Sequence, residues 1–151
     1  SDIMEKSYHA DTLKKSVIIA ANLQKTWNVV SKIVDLKWLD NIKTARFLSA
    51  KTRGIGATRH ISFMDGTNVE EIIVGWKPKK YFSYIAISGL PLRGYHATIT
   101  ITAKNENSVI VEWESFFSSE LMTNNEFREF HKLLSNFYSK SLKNLRISLE
   151  K

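Results

Sequence analysis

The stretch that decides the fold is RGYHATITITAKNENSVIVEWESFF at residues 93–117, together with TNNEFREFHKLLSNFYSKSLKNLRISLE at residues 123–150. In the first segment apolar and polar residues alternate, which is typical of strands with one buried face. In the second segment apolar residues recur every three or four positions, which predicts an amphipathic helix. A sheet with one apolar face needs a cover, and this helix is the longest element available to provide it.

The two segments also carry their own boundary and orientation signals. Glu112 and Glu114 mark the wet face of the last strand, so Trp113 between them is predicted to point inward. Thr123 and Glu126 have the spacing of a capping box, which predicts the start of the helix. A helix laid across a curved sheet leaves a space between the two layers, and we expect the function to depend on that space.

The rest of the chain reads as further strands with a helical region near the start. Asn22 has the character of an N-cap, with its side chain able to accept from the first turn. Two short helices are predicted after the first strand, the second at about Asp35–Leu39. With the two strands already described, alternation and turn residues predict seven strands in all. The other five predicted strands are residues 11–20, 44–51, 57–64, 69–76 and 81–88.

Length and composition restrict the class of protein. The chain has 151 residues and no cysteine, which fits one domain, predicted at 11–151 after a tail at 1–10, and excludes disulfides and thiolate sites. The lack of disulfides is typical of a reducing cytoplasm, where we expect the protein to be located. No run of 18 apolar residues and no signal peptide is found, so stable membrane insertion is not expected.

The net charge of +7 favours a solvated basic surface over a nucleic-acid partner. The basic residues are scattered, and no nucleic-acid-binding motif accompanies them. Their densest groups are at Lys77–Lys80 and on the last helix, at Lys140–Arg146. We therefore expect no nucleic-acid partner and at most transient contact with an anionic membrane. The sequence carries no indication of an oligomeric state.

Several kinds of site are missing from the sequence. There is no GxGxxG or Walker loop and no GxSxG elbow, which disfavours nucleotide binding and nucleophile-centred hydrolysis. The four histidines His9, His60, His96 and His131 show no HxH or HxxxH pair, so no metal site is predicted. We expect no cofactor.

The order of elements resembles the START-like or SRPBCC superfamily, and most closely its polyketide cyclase/dehydratase and lipid-transport branch. The resemblance is carried by GIGATRHISFMDG (54–66), VEEIIVGWKPKKYFSY (69–84), LP (90–91) and SVIVEWESFF (108–117). It implies an α+β helix-grip fold, in which a seven-stranded antiparallel sheet wraps around the long C-terminal helix. It also implies a deep apolar cavity between the sheet and the helix, but not a reaction, because the fold serves many functions.

We expect an internal pocket of about 300–1,000 Å³ between the last helix and the sheet. The loops Arg53–Gly56 and Gly89–Arg93 are predicted to flank its mouth, as comparable loops do in the family. The predicted ligand-binding walls come from inward strand positions and the helix stripe. They are Phe63, Ile73, Tyr84, Ile99, Val111, Trp113, Phe130, Leu134 and Phe137.

Three polar residues are candidates for catalysis or ligand orientation. Glu71 and Arg59 fall where the family has a Glu and an Arg on its third and fourth strands. If both face the cavity they form an ion pair there, and the hairpin register decides whether they do. A structural cross-strand pair is the favoured interpretation, and Glu70 competes with Glu71 for the inward position. His131, beside the apolar helix stripe, is either an acid or base or a histidine at the helix edge.

Three functions are compatible with this sequence. The first is binding of a small hydrophobic or amphipathic ligand, such as a lipid, a polyketide or an isoprenoid-like molecule, in the cavity. The second is a cyclase or dehydratase that uses a cavity carboxylate. The third is a protein-interaction module. An open apolar cavity would favour ligand binding. A cavity carboxylate with a raised pKa would favour the enzyme. An interior filled with side chains would favour the protein-interaction module.

Overall fold

The structure, a computed structural model, describes residues 6–151 and consists of seven strands and two helices within that range. The strands are β1 (Lys6–Ile19), β2 (Ile42–Phe47), β3 (Thr58–Phe63), β4 (Asn68–Lys77), β5 (Tyr81–Ser88), β6 (Gly94–Asn105) and β7 (Ser108–Thr123). The helices are α1 (Leu23–Val30) and α2 (Asn124–Leu149).

All seven strands form one antiparallel sheet in the order β1-β7-β6-β5-β4-β3-β2. Consecutive strands from β2 to β7 are neighbours, so hairpins build most of the sheet. The exception is β1, which pairs with β7 at the far edge. The segment between β1 and β2 therefore crosses from one edge of the sheet to the other, and it contains α1. This is the predicted helix-grip architecture.

The long hairpin of β6 and β7 has the predicted orientation. Ile99 lies opposite Trp113 in the register, and the two side chains are only 3% and 2% exposed. Glu114, the neighbour of Trp113, is exposed. The wet and buried faces of this hairpin are therefore those that the alternation of its residues predicts.

The predicted cap residues begin both helices. The Asn22 side chain accepts a hydrogen bond from the Lys25 backbone N–H at 2.8 Å. Thr123 accepts from the Glu126 N–H, and Glu126 in turn accepts from the Thr123 N–H, which completes the capping box. Each arrangement satisfies backbone donors that a helix start leaves free. No helix within residues 6–151 is long and apolar enough to cross a membrane.

Helix α2 covers the concave face of the sheet and supplies much of the core. The Tyr138 ring stacks on the Trp113 ring, with the ring centroids 3.9 Å apart. Phe137 contacts Phe63 edge to face at 5.6 Å. The side chains of α2 that are buried lie on one stripe, and they are Phe127, Leu134, Tyr138, Ser141, Leu142, Leu145 and Leu149.

Two predictions differ from the structure. One concerns the start of the first strand, and the other concerns the segment that follows α1. The first strand begins at Lys6 rather than at residue 11, so residues 6–10 are strand and not tail, while residues 1–5 lie outside the described part. The pairing of β1 with the extended β7 explains this, because Lys6 lies opposite Thr123. The predicted second short helix at Asp35–Leu39 is wrong, since this segment consists of single hydrogen-bonded turns.

The reason for the missing helix is the burial of three close positions. Leu36, Trp38 and Leu39 are each 5–6% exposed. In an α-helix residues two apart point to nearly opposite sides, so these three side chains would not share one face. A turn segment can direct all three inward. We refer to residues 33–41 as the crossover segment.

Gly89 allows the loop before β6 to approach the β4 backbone closely. Its φ of +99° favours glycine, and a Cβ added there would lie 1.9 Å from the Asn68 carbonyl oxygen. Gly66 has a similar φ of +92°, but a Cβ added at Gly66 would meet no atom within 4 Å. The two positions therefore share the same backbone preference and differ in available space.

We expect Gly89→Ala to destabilise the protein more than Gly66→Ala. The shared left-handed backbone should cost about 1–2 kcal/mol at either site, and the clash with Asn68 adds to that cost only at Gly89. Urea denaturation of both variants measures the difference in the free energy of unfolding. An equal loss of stability in the two variants would show that the loop shifts to relieve the clash, and that Gly89 does not fix the position of the loop.

Candidate functional site

An inner cavity lies between the sheet, the crossover segment and α2. Its volume is about 70 Å³, far below the expected range of about 300–1,000 Å³. Several aromatic rings pack closely in this part of the interior, among them the stacked rings of Trp113 and Tyr138. The residues that line this inner cavity are Leu36, Trp38, Leu39, Arg59, Ile61, Phe63, Val69, Glu71, Phe82, Tyr84, Leu90, Tyr95, Ile99, Trp113, Leu134 and Phe137.

A wider outer cleft adjoins the inner cavity on the solvent side. Its volume is about 560 Å³. It lies between the first half of α2, the β3–β4 turn and the start of the loop before β6. The residues that line both spaces are Phe63, Val69, Leu90, Leu134 and Phe137. These five apolar residues border both spaces, and we call them the neck.

The predicted cavity walls separate into three groups. The predicted residues that line the inner cavity are Phe63, Tyr84, Ile99, Trp113, Leu134 and Phe137. Phe130 lines only the outer cleft. Ile73 and Val111 line neither space and belong to the solid core, with 1% and 0% exposure. The alternation of residues predicts which face of the sheet they occupy, but not where along that face the packing leaves a gap.

Only one of the two predicted mouth loops borders the outer cleft. Leu90, in the Gly89–Arg93 loop, lines both spaces, but no residue of Arg53–Gly56 lines either. Arg53 instead lies over the Trp76 ring, with its guanidinium carbon 5.3 Å from the ring centroid. The other side of the mouth is formed by Asp40 and Asn41 of the crossover segment and by Asp65 and Thr67 of the β3–β4 turn.

Arg59 and Glu71 form a buried ion pair in the wall of the inner cavity. They lie directly opposite each other in the β3–β4 register and are 4% and 6% exposed. The Arg59 Nη2 and Nε atoms lie 2.8 and 3.0 Å from Glu71 Oε1, and Nη1 donates to the Ile33 carbonyl at 2.8 Å. The guanidinium also lies over the Tyr84 ring at 4.9 Å. Glu70 is on the other face, beside His60.

Two opposing effects act on the Glu71 carboxyl group. Burial disfavours its charged form and raises the pKa, while the Arg59 guanidinium lowers it. Burial is the larger effect, so the pKa lies above the ordinary value for glutamate. A carboxyl group of this kind binds its proton more tightly than an exposed one, which is a property of many acid–base residues.

A chain of aromatic hydroxyl groups lies next to the ion pair. The Trp113 Nε1–H donates to the Tyr84 hydroxyl at 3.1 Å, and the hydroxyls of Tyr95 and Tyr138 are hydrogen-bonded to each other. Burial raises the pKa of all three tyrosines well above 10, so they stay protonated at neutral pH. The cavity therefore contains neutral polar groups as well as a balanced ion pair.

Sequence reasoning missed part of this polar wall. Tyr95 continues the inward positions of Ala97 and Ile99 on β6, so alternation was a signal that could have identified it. Tyr138 belonged to the predicted helix stripe but was not assigned to the site. Leu36, Trp38 and Leu39 had no signal, because a helix was expected where the crossover segment forms turns.

His131 lies outside both spaces. Its Nε2 atom is 3.3 Å from Asp11 Oδ2 on β1, and its ring packs near the Phe117 ring at 5.7 Å. It lines neither the inner cavity nor the outer cleft. The geometry therefore favours the helix-edge interpretation of His131 over a role as a cavity acid or base.

The antiparallel sheet, the helix that it grips and the cavity between them define a START-like, or SRPBCC-type, domain. Residues 10–150 match the model of the family described as polyketide cyclase / dehydrase and lipid transport, and the chain belongs to this family. A search of curated protein sequences found no significant match.

Solved structures of known proteins share this fold. Zhui aromatase/cyclase from Streptomyces sp. R1128 has a TM-score of 0.82 at 11% identity, with 94% of each chain covered. An uncharacterized protein from Bacillus thuringiensis has a TM-score of 0.79 at 23% identity, covering 93% of this chain and all of the other. Norcoclaurine synthase from Thalictrum flavum has a TM-score of 0.70 at 14% identity, and the match covers 93% of this chain and 86% of the synthase chain. At these identities the likeness shows the fold alone.

We expect Arg59→Ala to destabilise the protein by about 3–5 kcal/mol, as loss of one partner of a buried pair does. The substitution removes the donors to Glu71 and to the Ile33 carbonyl at once. Arg46→Ala is the matched control, because Arg46 is an exposed arginine on neighbouring β2 and its loss should change stability by at most about 0.5 kcal/mol. Chemical denaturation measures both, and a loss below about 1 kcal/mol in Arg59→Ala would contradict the buried pair.

The raised pKa of Glu71 predicts how stability changes with pH. The folded protein binds the Glu71 proton more tightly than the unfolded chain, so this stabilising contribution is complete below the unfolded pKa near 4.5. It decreases as pH rises towards the folded pKa. Wild type should therefore lose stability relative to Glu71→Gln as pH rises from 4.5.

Urea denaturation at several pH values measures this difference in the free energy of unfolding. Glu70→Gln, on the opposite face of the same strand, is the control for loss of a carboxyl group. If wild type instead gains stability over Glu71→Gln as pH rises, Arg59 outweighs burial and the pKa is lowered.

Proposed function

We propose that this protein binds a small hydrophobic or amphipathic ligand, of the lipid, polyketide or isoprenoid-like kind, between α2 and the sheet. The observation that carries the proposal is the apolar neck, which borders both a wide outer cleft and a small inner cavity with polar walls. The body of the ligand occupies the outer cleft, and one end passes through the neck into the inner cavity.

The size and lining of the outer cleft support this arrangement. Its volume of about 560 Å³ is within the range of about 300–1,000 Å³ for small-molecule sites. Leu133, which lines the cleft, is 66% exposed, and Phe130 and Phe137 on the same helix are partly exposed. A bound apolar body would remove such surface from water, which is favourable at about 25 cal/mol per Å².

The polar wall of the inner cavity supports an amphipathic ligand over a purely apolar one. Arg59, Glu71, Tyr84 and Tyr95 all line that cavity. A polar group at the end of the ligand has partners there, whereas a purely apolar end would gain nothing from them. The family description, which names lipid transport beside polyketide cyclisation, agrees with a ligand of this kind.

A second candidate function is acid–base catalysis on the bound ligand, as in a cyclase or dehydratase. The observation in its favour is Glu71, a carboxyl group in the cavity wall whose pKa is raised. The Zhui aromatase/cyclase, which has the same fold, supports this alternative. The Glu71→Gln variant separates the two functions, because a carrier keeps its function without the carboxyl group and an enzyme of this type loses turnover.

We expect Leu90→Trp to block the neck and reduce ligand binding. Leu90 is half-buried in the Gly89–Arg93 loop and lines both spaces, so a larger ring there narrows the passage with little effect on the core. The neutral fluorescent probe N-phenyl-1-naphthylamine should bind at least tenfold more weakly than to wild type. Fluorescence titration measures the affinity, and thermal unfolding confirms the fold.

Leu121→Trp is the matched control, because Leu121 is 65% exposed and lines neither space. It should bind the probe as wild type does. If both variants bind it with unchanged affinity, the probe does not use the neck, and the proposed site is wrong.

A further inference from the structure

Trp38 brings an unpaired hydrogen-bond donor to the wall of the inner cavity. The residue is 5% exposed and lines that cavity, and its ring meets the Trp113 ring edge to face at 6.0 Å. Among the residues that the structure describes, the Trp38 Nε1–H has no hydrogen-bond partner. A buried donor without an acceptor is costly, so such a group calls for an explanation.

The crossover segment holds this indole in place. Asn144 of α2 donates to the Trp38 carbonyl at 3.3 Å, and the Asp40 N–H donates to Ser141 Oγ at 2.9 Å. The backbone at Trp38 and two residues after it is therefore attached to the helix. Because indole nitrogen is only a donor, the group that satisfies it must supply an acceptor atom.

We infer that the bound ligand ends in an uncharged oxygen acceptor, a carbonyl or hydroxyl group, which accepts a hydrogen bond from Trp38 Nε1. This inference rests on the proposed function. The inner cavity of about 70 Å³ is close to the volume of two water molecules, at about 30 Å³ each. It therefore takes only the end of a ligand, and the rest stays in the outer cleft.

The charges in the wall exclude an ionised end. Three nitrogens of Arg59 are already used, two on Glu71 and one on the Ile33 carbonyl. A ligand carboxylate would add a negative charge beside Glu71, with no free cation among the described residues that line the inner cavity. Burial of such a charge is strongly unfavourable. A neutral acceptor avoids this cost and still satisfies the indole.

Three naphthalene probes of similar size test the inference. They are 2-acetylnaphthalene, which carries a carbonyl, 2-ethylnaphthalene, which lacks an acceptor, and 2-naphthoate, which is charged. We expect the ketone to bind about 3- to 10-fold more tightly than the ethyl compound, the range for one hydrogen bond. The carboxylate should bind more weakly than both.

The indole N–H signals in a ¹H–¹⁵N spectrum report the contact directly. The chain has four tryptophans, and loss of one signal in Trp38→Phe assigns the signal of Trp38. This signal should move downfield with the ketone and not with the ethyl compound. Once the signal is assigned, the titrations themselves use only the wild-type protein.

Trp38→Phe should reduce ketone affinity to the level of the ethyl compound, whose own affinity should stay unchanged. Trp76→Phe is the control, because Trp76 lines neither space, and it should keep the threefold to tenfold preference for the ketone. Equal binding of the ketone and the ethyl compound to wild type, or a Trp38 signal unmoved by the ketone, would overturn the inference while leaving the proposed function standing. Failure of all three probes to bind would contradict both.

Discussion

The structure depends on one contact, the burial of the apolar stripe of α2 against the concave face of the sheet. A fully buried Leu or Phe contributes about 1.5–3 kcal/mol relative to an exposed one, and α2 buries Phe127, Leu134 and four further apolar or aromatic residues of this stripe. Both ends of the helix are fixed. The capping box closes its start, and at its end Glu150 accepts from the Ala20 N–H while Lys25 donates to the Leu149 carbonyl. With both ends held, α2 spans the sheet, and a gap remains only where the surrounding side chains are too few to fill it.

That gap lies where the polar groups of the sheet are concentrated, and this is costly for stability. A buried ion pair is often less stabilising than apolar residues of the same volume, so Arg59 and Glu71 do not contribute to the fold as an equally large apolar pair would. The pair does fix a neutral, hydrogen-bonded wall, because Arg59 also binds the crossover segment through the Ile33 carbonyl. Tyr84 lies under its guanidinium and links it to Trp113. The interior is therefore shaped for a polar contact at the expense of stability, a compromise that is typical of functional sites.

Most of the architecture could be predicted from the sequence, because it follows from local patterns. Alternation in β6 and β7 and the periodicity of α2 determine which side chains are buried, and Trp113 lies where they indicate. The placement of Arg59 opposite Glu71 could not be derived, because it depends on the β3–β4 register. The helix predicted at Asp35–Leu39, within the crossover segment, is wrong because the burial of this segment is a tertiary requirement that its local sequence does not reveal. The predicted volume is too large for the inner cavity, because that volume depends on how closely the side chains of the wall pack, and no pattern of residue types contains that information.

The division of the site into two spaces has a consequence for specificity. The outer cleft is bordered by turns, including the Asp65–Thr67 turn and the loop that contains Leu90, and turns adjust more readily than strands. The inner cavity is formed by strands, by α2 and by a crossover segment attached to α2 through Ser141 and Asn144. On the proposed function, a site built in this way would accept variation in the body of a ligand but little in its end. Discrimination would then fall on the end, where a missing acceptor leaves a buried donor unpaired and an added charge has no partner. Substitutions in the turns that border the outer cleft could change which ligand bodies fit there, without altering the polar wall of the inner cavity.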